Sequence, residues 1–387
     1  GWAYARGMQE AGIIACAKHF PGHGDTDVDS HKDLPVINHS MERLRNIEFR
    51  PFQHLIKNGV KSVMTAHLFI PAIDDRKNIA VSISDKAING ILRREMGFTG
   101  LSFTDALNMQ GVAKYHPDGE LELKALLAGN DVLLAPADIT KAKRLIIAAM
   151  KEGRLSEEYV WSKVKKILSY KHSLGLHDWK PHKEVGVLQD LNSTQAKFLH
   201  YNLVEQELCL VQDKESIVPI APSSGKKILS VAIGKDGLTR FQKELMSIAD
   251  VQTTSISKTA SSSQFASLQK QMDNYDVVII SLHATSKYPP NYGVTANSAA
   301  FINQAATKNK TLFVNFGNPY NLKKFKNQTA VLLAYEDQEV HQIKAAQAVF
   351  GSIGVSGQLA VSVGTEYKAK MGITTEARIG MHIADPE

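Results

Sequence analysis

The chain has 387 residues, 43% of them hydrophobic, which is enough for two globular domains and is unlike a low-complexity protein. Its net charge is +6, but lysines and arginines are scattered among aspartates and glutamates, a distribution that argues against a nucleic-acid partner. Cys16 and Cys209 are the two cysteines, and they imply no disulfide framework. No apolar stretch approaches the ~20 residues of a transmembrane helix, so we expect no membrane span.

We expect that this sequence begins inside a longer chain. The first residue is Gly1 rather than Met, and residues 2–11 already show helical spacing with no targeting segment before them. The lack of a signal peptide therefore gives no information about the compartment.

Four apolar runs with strand character alternate with helical patterns in the first half of the chain. The runs are residues 13–18, 60–66, 101–104 and 131–134, and clear helical spacings occur at residues 41–58 and 85–96. Apolar strands that alternate with helices predict a parallel α/β sheet, either doubly wound or closed into a barrel.

Polar side chains at the ends of the predicted strands favour the barrel. Lys18 and His19, then His67, then Asp105 stand at or just after the end of successive apolar runs. TIM (β/α)8 barrels assemble their active sites at this edge of the sheet. Because a closed barrel needs eight strands, we predict that the chain holds the C-terminal half of one and that the other strands precede Gly1.

A second α/β pattern follows a predicted linker at residues 177–189, which contains Pro181 and Gly186. Its predicted strands are residues 227–233, 276–282, 311–316 and 330–334, with a Ser-rich loop at residues 261–263 and a late helix at residues 342–350. We therefore divide the chain into a partial barrel at residues 1–176, the linker, a second α/β domain at residues 190–365, and a tail at residues 366–387 that could connect to a further domain.

The densest polar segment is KHFPGHGDTDVDSH, residues 18–31, which places three histidines and three aspartates in a Pro/Gly-containing loop after a buried strand. Asp29 and His31 are two residues apart, so in an extended segment they share a side and the carboxylate can reach the imidazole. Such a contact fixes the histidine tautomer and leaves the second ring nitrogen free to exchange a proton with a substrate.

Two other interpretations of this loop stay open. It could be a structural cluster, because aspartate, serine and threonine readily form hydrogen bonds with nearby backbone. It could also be a calcium loop, since Asp25, Asp27 and Asp29 alternate, but that pattern requires Gly and Glu where Ser30 and Val36 stand. We therefore predict no metal and no other cofactor.

Asp105 follows the third apolar run, in GLSFTDALNM at residues 100–109. A lone aspartate at such a position is most often a helix N-cap. Beside a histidine–aspartate pair on the same predicted rim it becomes a candidate nucleophile, because a carboxylate that faces a proton donor is the arrangement of a retaining glycosidase.

Three motifs together resemble glycoside hydrolase family 3, in its β-N-acetylglucosaminidase branch. They are KHFPGHGDTDVDSH with LP at residues 34–35, MTAH at residues 64–67, and SFTDALNM at residues 102–109. The resemblance extends over residues 11–176. The region after the linker is similar, more loosely, to the α/β sandwich that follows the barrel in longer family members, with residues 351–363 as its closing strand.

The resemblance implies six functional residues in this chain. The catalytic ones are Asp105 as nucleophile, His31 as acid/base, and Asp29 as the residue that orients His31. The substrate-binding ones are Lys18 and His19, which match a pair that binds hydroxyls of the terminal sugar, and His67 as a contact at the rim.

The resemblance also implies a substrate. The family's β-glucosidases lack the PGHGDT…DSH loop and take a glutamate acid/base from the second domain, so the loop favours hydrolytic release of terminal β-linked N-acetylhexosamine from oligosaccharides or peptidoglycan fragments. A β-glucosidase stays an alternative, as does a phosphorylase, because a neutral imidazole does not repel an anionic acceptor. Other sugar contacts of the family lie on earlier strands, so these 387 residues alone could lack activity.

The partner that we expect is thus a carbohydrate, and the oligomeric state is left open. Because family members with a second domain are often exported, we favour a periplasmic or cell-envelope location over the cytoplasm.

An enzyme of another class is suggested by Ser255-x-x-Lys258 and Ser267-x-x-Lys270, which have the S-x-x-K spacing of serine β-lactamase-type hydrolases. No K-T-G motif follows either one, and we interpret both as chance matches.

A non-enzymatic alternative is that the second domain is a carbohydrate-binding or structural module. Tyr288, Tyr292 and Tyr320 could stack on sugars, although scattered tyrosines more often pack in the core or in loops. We interpret this domain as structural support, with the loop at residues 284–294 as a candidate substrate contact.

Overall fold

A computed structural model of the protein describes residues 1–26, 33–117, 119–181 and 184–378. The chain divides into two compact units, residues 1–182 and residues 183–387, and the division falls within the segment predicted as a linker. That segment is partly helical, since it contains the end of a 3-10 turn at Leu176–Asp178 and the start of a short helix at Val187–Leu191. No helix in the described part of the chain is long and apolar enough to cross a bilayer.

The first unit contains a three-stranded parallel sheet whose strands lie in chain order: β1 (Cys16–Phe20), β2 (Ser62–Thr65) and β3 (Leu101–Thr104). The fourth predicted strand, residues 131–134, forms only one parallel bridge, between Phe103 and Val132. The parallel α/β fold is confirmed. No closed barrel is found among the described residues, so the half-barrel stays a prediction.

The helices of this unit are α1 (Trp2–Glu10), α2 (Met41–Asn46), α3 (Phe49–Lys57), α4 (Gln110–Ala113), α5 (Glu120–Leu127), α6 (Ile139–Lys151) and α7 (Glu157–Ser173), together with a π-helix at Lys86–Glu95. The single helix predicted for residues 41–58 is thus wrong. Pro51 explains the break, because its ring would clash with the carbonyl of Ile47 in a continuous helix. In α3, Pro51 lies in the first turn, where its missing N–H costs nothing.

The boundary of the first strand also differs from the prediction. The strand occupies Cys16–Phe20 rather than residues 13–18, so Lys18 and His19 lie inside β1 and not after it. Phe20 ends the strand and is fully buried, in an aromatic cluster with Phe49 and Phe52 of α3. This packing brings α3 against β1 and positions the start of the loop that follows.

The second unit has a six-stranded sheet of order β4-β9-β8-β7-β5-β6, in which β5 to β9 are parallel and β4 is antiparallel to β9. Its strands are β4 (Cys209–Asp213), β5 (Ile228–Ile233), β6 (Val251–Ile256), β7 (Val277–Leu282), β8 (Thr311–Asn315) and β9 (Ala330–Leu333). Its helices are α8 (Val187–Leu191), α9 (Thr194–Glu207), α10 (Arg240–Ile248), α11 (Ser262–Met272), α12 (Ala296–Lys308) and α13 (Glu339–Val349).

Helices cover both faces of this sheet. Val277 and Ile279 of β7 face one apolar cluster, whereas Val278 and Ile280 face another, as the alternation of side chains along a strand requires. The four predicted strands and the late helix are confirmed. Neither edge strand, β4 or β6, was predicted from the sequence. In β6, which has the sequence VQTTSI, most side chains are polar and only partly buried, so no apolar run marks it.

Two predictions for the second unit are wrong. Residues 261–263 do not form a loop: Ser261 is the N-cap of α11, and its hydroxyl accepts a hydrogen bond from the N–H of Gln264. Residues 351–363 do not form a strand either, and they pair only through isolated bridges such as that between Val355 and Thr375. The described part of the tail is bound to this unit, since Ile373 N–H donates to the carbonyl of Leu210.

Candidate active site

Asp105 directly follows β3, at the carboxyl edge of the sheet in the first unit. Its backbone N–H donates to the carbonyl of Thr65 at the end of β2, and its Oδ1 accepts a hydrogen bond from the N–H of Ala106, each over 2.9 Å. The side chain is 15% exposed. Asp105 caps no helix, because α4 begins at Gln110 after its N-cap Met109. The backbone therefore orients this carboxylate through its Oδ1.

His19 is the described side chain that faces the carboxylate. Its Nε2 lies 3.8 Å from Oδ2 of Asp105, which is too long for a hydrogen bond but close enough for electrostatic attraction. Burial lowers the pKa of His19, the charge of Asp105 opposes this effect, and Lys18 and His23 lower the pKa further. A neutral His19 can both donate and accept hydrogen bonds, which suits a contact with sugar hydroxyls.

Lys18 and His23 complete the polar surroundings of His19. Lys18 is exposed and precedes His19 in β1 through a cis peptide bond, and the ring of His23 meets the ring of His19 edge to face at 5.9 Å. Thr26 Oγ1 lies 3.1 Å from Nδ1 of His23. A cleft of about 570 Å3, a volume within the range of ligand-binding pockets, borders Lys18, His19 and His23. It continues along α3, and Asp105 is not among its lining residues.

The predicted acid/base pair, Asp29 and His31, lies outside the described residues, since both belong to residues 27–32. Their roles therefore stay predictions. The described part of the same loop ends at Thr26 and resumes at Asp33, whose carboxylate binds Lys114 at 2.7 Å and Tyr115 at 2.9 Å. These partners follow α4, so Asp33 lies against the segment that comes after Asp105.

Among the described residues of this unit, one group of side chains has the spacing of metal ligands. Asp25, His39 and Glu48 each offer a ligand atom, and these atoms lie within 4.8 Å of one another. The guanidinium of Arg43 already bridges the two carboxylates, at 3.3 Å from Asp25 and 3.1 Å from Glu48, and His39 Nε2 lies 2.7 Å from Asp25. Because Arg43 supplies the positive charge here, we assign no metal to this cluster.

His67 lies beneath the rim rather than on it. The residue is fully buried, its Nε2 is 2.9 Å from the carbonyl oxygen of Ala106, and its Nδ1 is 2.7 Å from the hydroxyl of Ser82. Since a carbonyl only accepts, Nε2 carries the proton, and the neutral ring accepts the Ser82 hydroxyl at Nδ1. Burial lowers the pKa of His67, although its hydrogen bond to Ala106 opposes this, and the neutral form follows. Neither ring nitrogen is free for a ligand in this arrangement.

With Asn130, these contacts form a closed ring of hydrogen bonds that includes Asp105. Its Nδ2 donates to the carbonyl of Ser82 at 2.8 Å, and its Oδ1 accepts from the hydroxyl of Thr65 at 3.1 Å. Thr65 in turn accepts from the backbone of Asp105, while Ser82 binds His67, which binds Ala106. The ring contains Asp105, Thr65, Asn130, Ser82, His67 and Ala106.

Sequence reasoning missed Ser82 and Asn130 as parts of the site. Each is a fully buried polar residue in an apolar context, which is the one signal that could have indicated them. Their partners are 15 and 65 residues away in the chain, so spacing gave no indication of which groups they bind.

The carboxylate of Asp131, the residue after Asn130, is the centre of a cluster of three ion pairs. Arg93, Lys163 and Lys166 bind its carboxylate at 2.7, 2.9 and 2.9 Å, and its side chain is 1% exposed. Burial raises the pKa of Asp131, but the charge of Arg93 and the hydrogen bond from Lys166 outweigh this effect, and the pKa lies below its usual value. The carboxylate therefore stays ionised and holds three cations together.

The S-x-x-K spacings lie in the second unit. Lys258 donates from Nζ to the carbonyl of Ala284 at 2.7 Å, and Ser267 belongs to α11. Because Nζ of Lys258 binds this carbonyl, Lys258 is not positioned as a base for Ser255.

Comparison with known proteins finds a family match in the first unit. Residues 1–170 match the family model described as Glycosyl hydrolase family 3 N terminal domain. Over these residues the chain is similar to the N-terminal domain of glycosyl hydrolase family 3.

Two curated relatives and one solved structure are also similar to this chain. Beta-hexosaminidase A of Pseudoalteromonas piscicida is 31% identical over 193 residues, which are 45% of this chain and 32% of that protein. A protein of Cellulomonas fimi named beta-N-acetylglucosaminidase/beta-glucosidase is 28% identical over 241 residues, 59% of this chain and 42% of that protein. A family 3 beta-N-acetylglucosaminidase from Paenibacillus sp. str. FPU-7 is similar with a TM-score of 0.73 and 27% identity, over 92% of this chain and 69% of that one. The chain thus spans less than half the length of these curated relatives.

Proposed function

We propose that the full-length protein is a retaining β-N-acetylhexosaminidase in which Asp105 is the nucleophile. The observation that carries this proposal is the orientation of its carboxylate at the carboxyl edge of a parallel sheet, with Oδ1 held by Ala106 and Oδ2 beside His19. The choice of sugar is supported by a relative named beta-hexosaminidase, by one named beta-N-acetylglucosaminidase/beta-glucosidase, and by a solved beta-N-acetylglucosaminidase.

In the proposed reaction, Asp105 attacks the anomeric carbon and forms a glycosyl ester while the bond to the leaving oxygen breaks. His31 gives its proton to that oxygen, and then takes a proton from the water that releases the sugar. Asp29 stabilises the protonated imidazole of His31. Lys18 and His19 bind hydroxyls of the terminal sugar, and the neutral state of His19 suits this role.

The test compares two substrates of the full-length protein. We expect an aryl β-N-acetylglucosaminide to be cleaved with a higher kcat/KM than the matching aryl β-glucoside, because the proposed pocket accepts the 2-acetamido group. The reverse order would refute the proposal and favour the β-glucosidase alternative, which the double name of the Cellulomonas fimi relative also represents.

A parallel assay in phosphate buffer distinguishes hydrolysis from phosphorolysis. We expect free N-acetylglucosamine as the product. Formation of the sugar 1-phosphate as main product would show that phosphate, not water, resolves the glycosyl ester. If no aryl glycoside is cleaved by the full-length protein, the non-catalytic interpretation as a carbohydrate-binding or structural module would replace the proposal.

A further inference from the structure

Asn130 is a fully buried amide with both ends of its side chain engaged in hydrogen bonds. Its Nδ2 donates to the carbonyls of Ser82 and Ala125, at 2.8 and 2.9 Å, and its Oδ1 accepts from the hydroxyl of Thr65 at 3.1 Å. Because a carbonyl can only accept, these two carbonyls fix which end of the amide is the nitrogen. The side chain of Asn130 therefore satisfies its partners in one orientation only.

The backbone around Asn130 is itself held in place. Its N–H donates to the same carbonyl of Ala125, near the end of α5, and the next residue, Asp131, is the carboxylate bound by three cations. Gly129, the residue before Asn130, has a φ of 117°. A Cβ there would lie 2.5 Å from Oδ1 of Asn89 in the π-helix, so the position requires glycine. The amide of Asn130 thus extends from a fixed point of the backbone.

Asn130 belongs to the closed ring of hydrogen bonds, in which every bond runs in the same direction. Backbone groups impose this direction, because a carbonyl can only accept and an N–H can only donate. Hydrogen bonds arranged in this way polarise one another, so the loss of one weakens its neighbours. In order of donation, the ring runs from Thr65 to Asn130, Ser82, His67, Ala106 and Asp105, whose N–H donates back to the carbonyl of Thr65.

The ring binds Asp105 from two sides. One side is Thr65, whose carbonyl accepts from the N–H of Asp105. The other side runs through Ser82 and His67 to the residue after Asp105, whose N–H binds Oδ1 of the carboxylate. Asn130 joins the two sides, since it binds both Thr65 and Ser82. These four partners of Asp105 are fully buried, so they act on the carboxylate without contacting a substrate.

We propose that Asn130 is a positioning residue for the nucleophile Asp105. Because its amide binds both sides of the ring, it fixes the peptide groups that orient the carboxylate, and less reorganisation is needed when the glycosyl ester forms. An amide suits this role, whereas a carboxylate in its place has only acceptors and could not bind the carbonyls of Ser82 and Ala125. The inference rests on the proposed function, because it takes Asp105 as the nucleophile.

The first test is substitution of Asn130 in the full-length protein, assayed with an aryl β-N-acetylglucosaminide. We expect Asn130→Ala to lower kcat by about a hundredfold and to leave KM nearly unchanged, because misplacing a reacting group by about 1 Å has this effect. The variant also leaves buried carbonyls unpaired, which destabilises the fold, so its Tm is measured as well. If it does not fold, a milder variant of the ring decides.

Thr65→Val is this milder variant, since it keeps the shape of the side chain and removes the hydroxyl that binds Asn130. We expect kcat to fall about tenfold, the effect of one hydrogen bond, and Thr65→Ser to recover most of this loss because it keeps the hydroxyl. Thr311→Val is the matched control. Thr311 is fully buried in β8, and its hydroxyl has no hydrogen-bond partner among the described residues, so kcat should not change.

A double-mutant cycle assigns the loss to the ring. This is needed because the hydroxyl of Thr65 also lies 3.1 Å from the carbonyl of Phe103. Thr65→Val and His67→Ala break the same ring, so the double variant should lose much less activity than the product of the two single effects. Two independent structural defects would instead multiply.

Three results would overturn this inference: unchanged kcat in a folded Asn130→Ala or Thr65→Val, a higher KM at unchanged kcat, or effects of Thr65→Val and His67→Ala that multiply. Turnover by the wild-type protein and by Asp105→Asn is measured beside them. If the wild type cleaves the substrate, Asp105→Asn does not, and the ring variants retain full kcat, the positioning role alone fails. If the wild type cleaves no aryl glycoside, or Asp105→Asn stays active, the proposed function fails and this inference with it.

Discussion

His67 donates a hydrogen bond from Nε2 to the carbonyl of Ala106, the residue whose own N–H binds the carboxylate of Asp105. The sequence predicted His67 as a sugar contact, but both of its ring nitrogens are engaged inside the protein. A buried histidine that holds the peptide after a nucleophile fixes the direction in which that nucleophile points. We therefore expect His67 to act through Asp105 as a positioning residue.

The first prediction tests this role by substitution. His67→Ala should lower kcat of the full-length protein by about a hundredfold with little change in KM, because misplacing a reacting group by about 1 Å has this effect. His67→Gln should recover about a tenth to a half of the wild-type kcat, since its amide keeps a donor towards Ala106. His54→Ala, an exposed histidine of α3, is the control. A higher KM at unchanged kcat would instead support a direct sugar contact.

The second prediction concerns stability in acid. Burial lowers the pKa of His67 and of His19, so the folded protein binds fewer protons than the unfolded chain, whose histidines titrate near 6.5. Stability is therefore unaffected above this pH and is lost as the pH falls below about 6.5 towards the lowered pKa values. We expect Tm to fall between pH 7 and pH 5, and to fall less in His67→Gln. Parallel Tm curves for the two proteins would contradict the assignment of this loss to His67.

The third prediction concerns the acid/base pair, whose geometry lies outside the described residues. Asp105→Asn should abolish turnover, whereas His31→Ala should slow alkyl glycosides far more than nitrophenyl glycosides, because only a poor leaving group needs a proton. Asp75→Asn, an exposed aspartate 82% accessible, is the control. If His31→Ala slows both substrates equally, another residue donates the proton.

The fourth prediction concerns the cluster of ion pairs around Asp131. Asp131→Asn leaves Arg93, Lys163 and Lys166 close together without their carboxylate, so we expect a loss of about 3–5 kcal/mol in the free energy of unfolding. Urea unfolding monitored by circular dichroism measures it. Asp75→Asn should change stability by about 0.5 kcal/mol or less, since exposed pairs contribute little. If Asp131→Asn lowers the free energy of unfolding as little as Asp75→Asn is expected to, the buried cluster adds no stability.

Local sequence patterns predict the parallel α/β class, the position of most strands, and Asp105 as the residue after β3. These features depend on local patterns, because apolar runs and turn residues act over a few neighbouring positions. The break between α2 and α3 also follows from the sequence, because Pro51 cannot lie inside a continuous helix. The edge strand β6 does not follow from it, since a half-exposed strand of polar residues lacks the apolar run that marks a buried one.

Which polar groups come into contact depends on the three-dimensional fold and not on local sequence. His67 and Ser82 are 15 residues apart, Thr65 and Asn130 are 65 apart, and nothing in their spacing distinguishes a buried partner from a solvated side chain. The same holds for Tyr292 and Tyr320, which packing of two loops brings together. A hydrogen bond or ring contact depends on distances of a few ångströms, which the sheet order and the close packing of the core set and the local sequence does not.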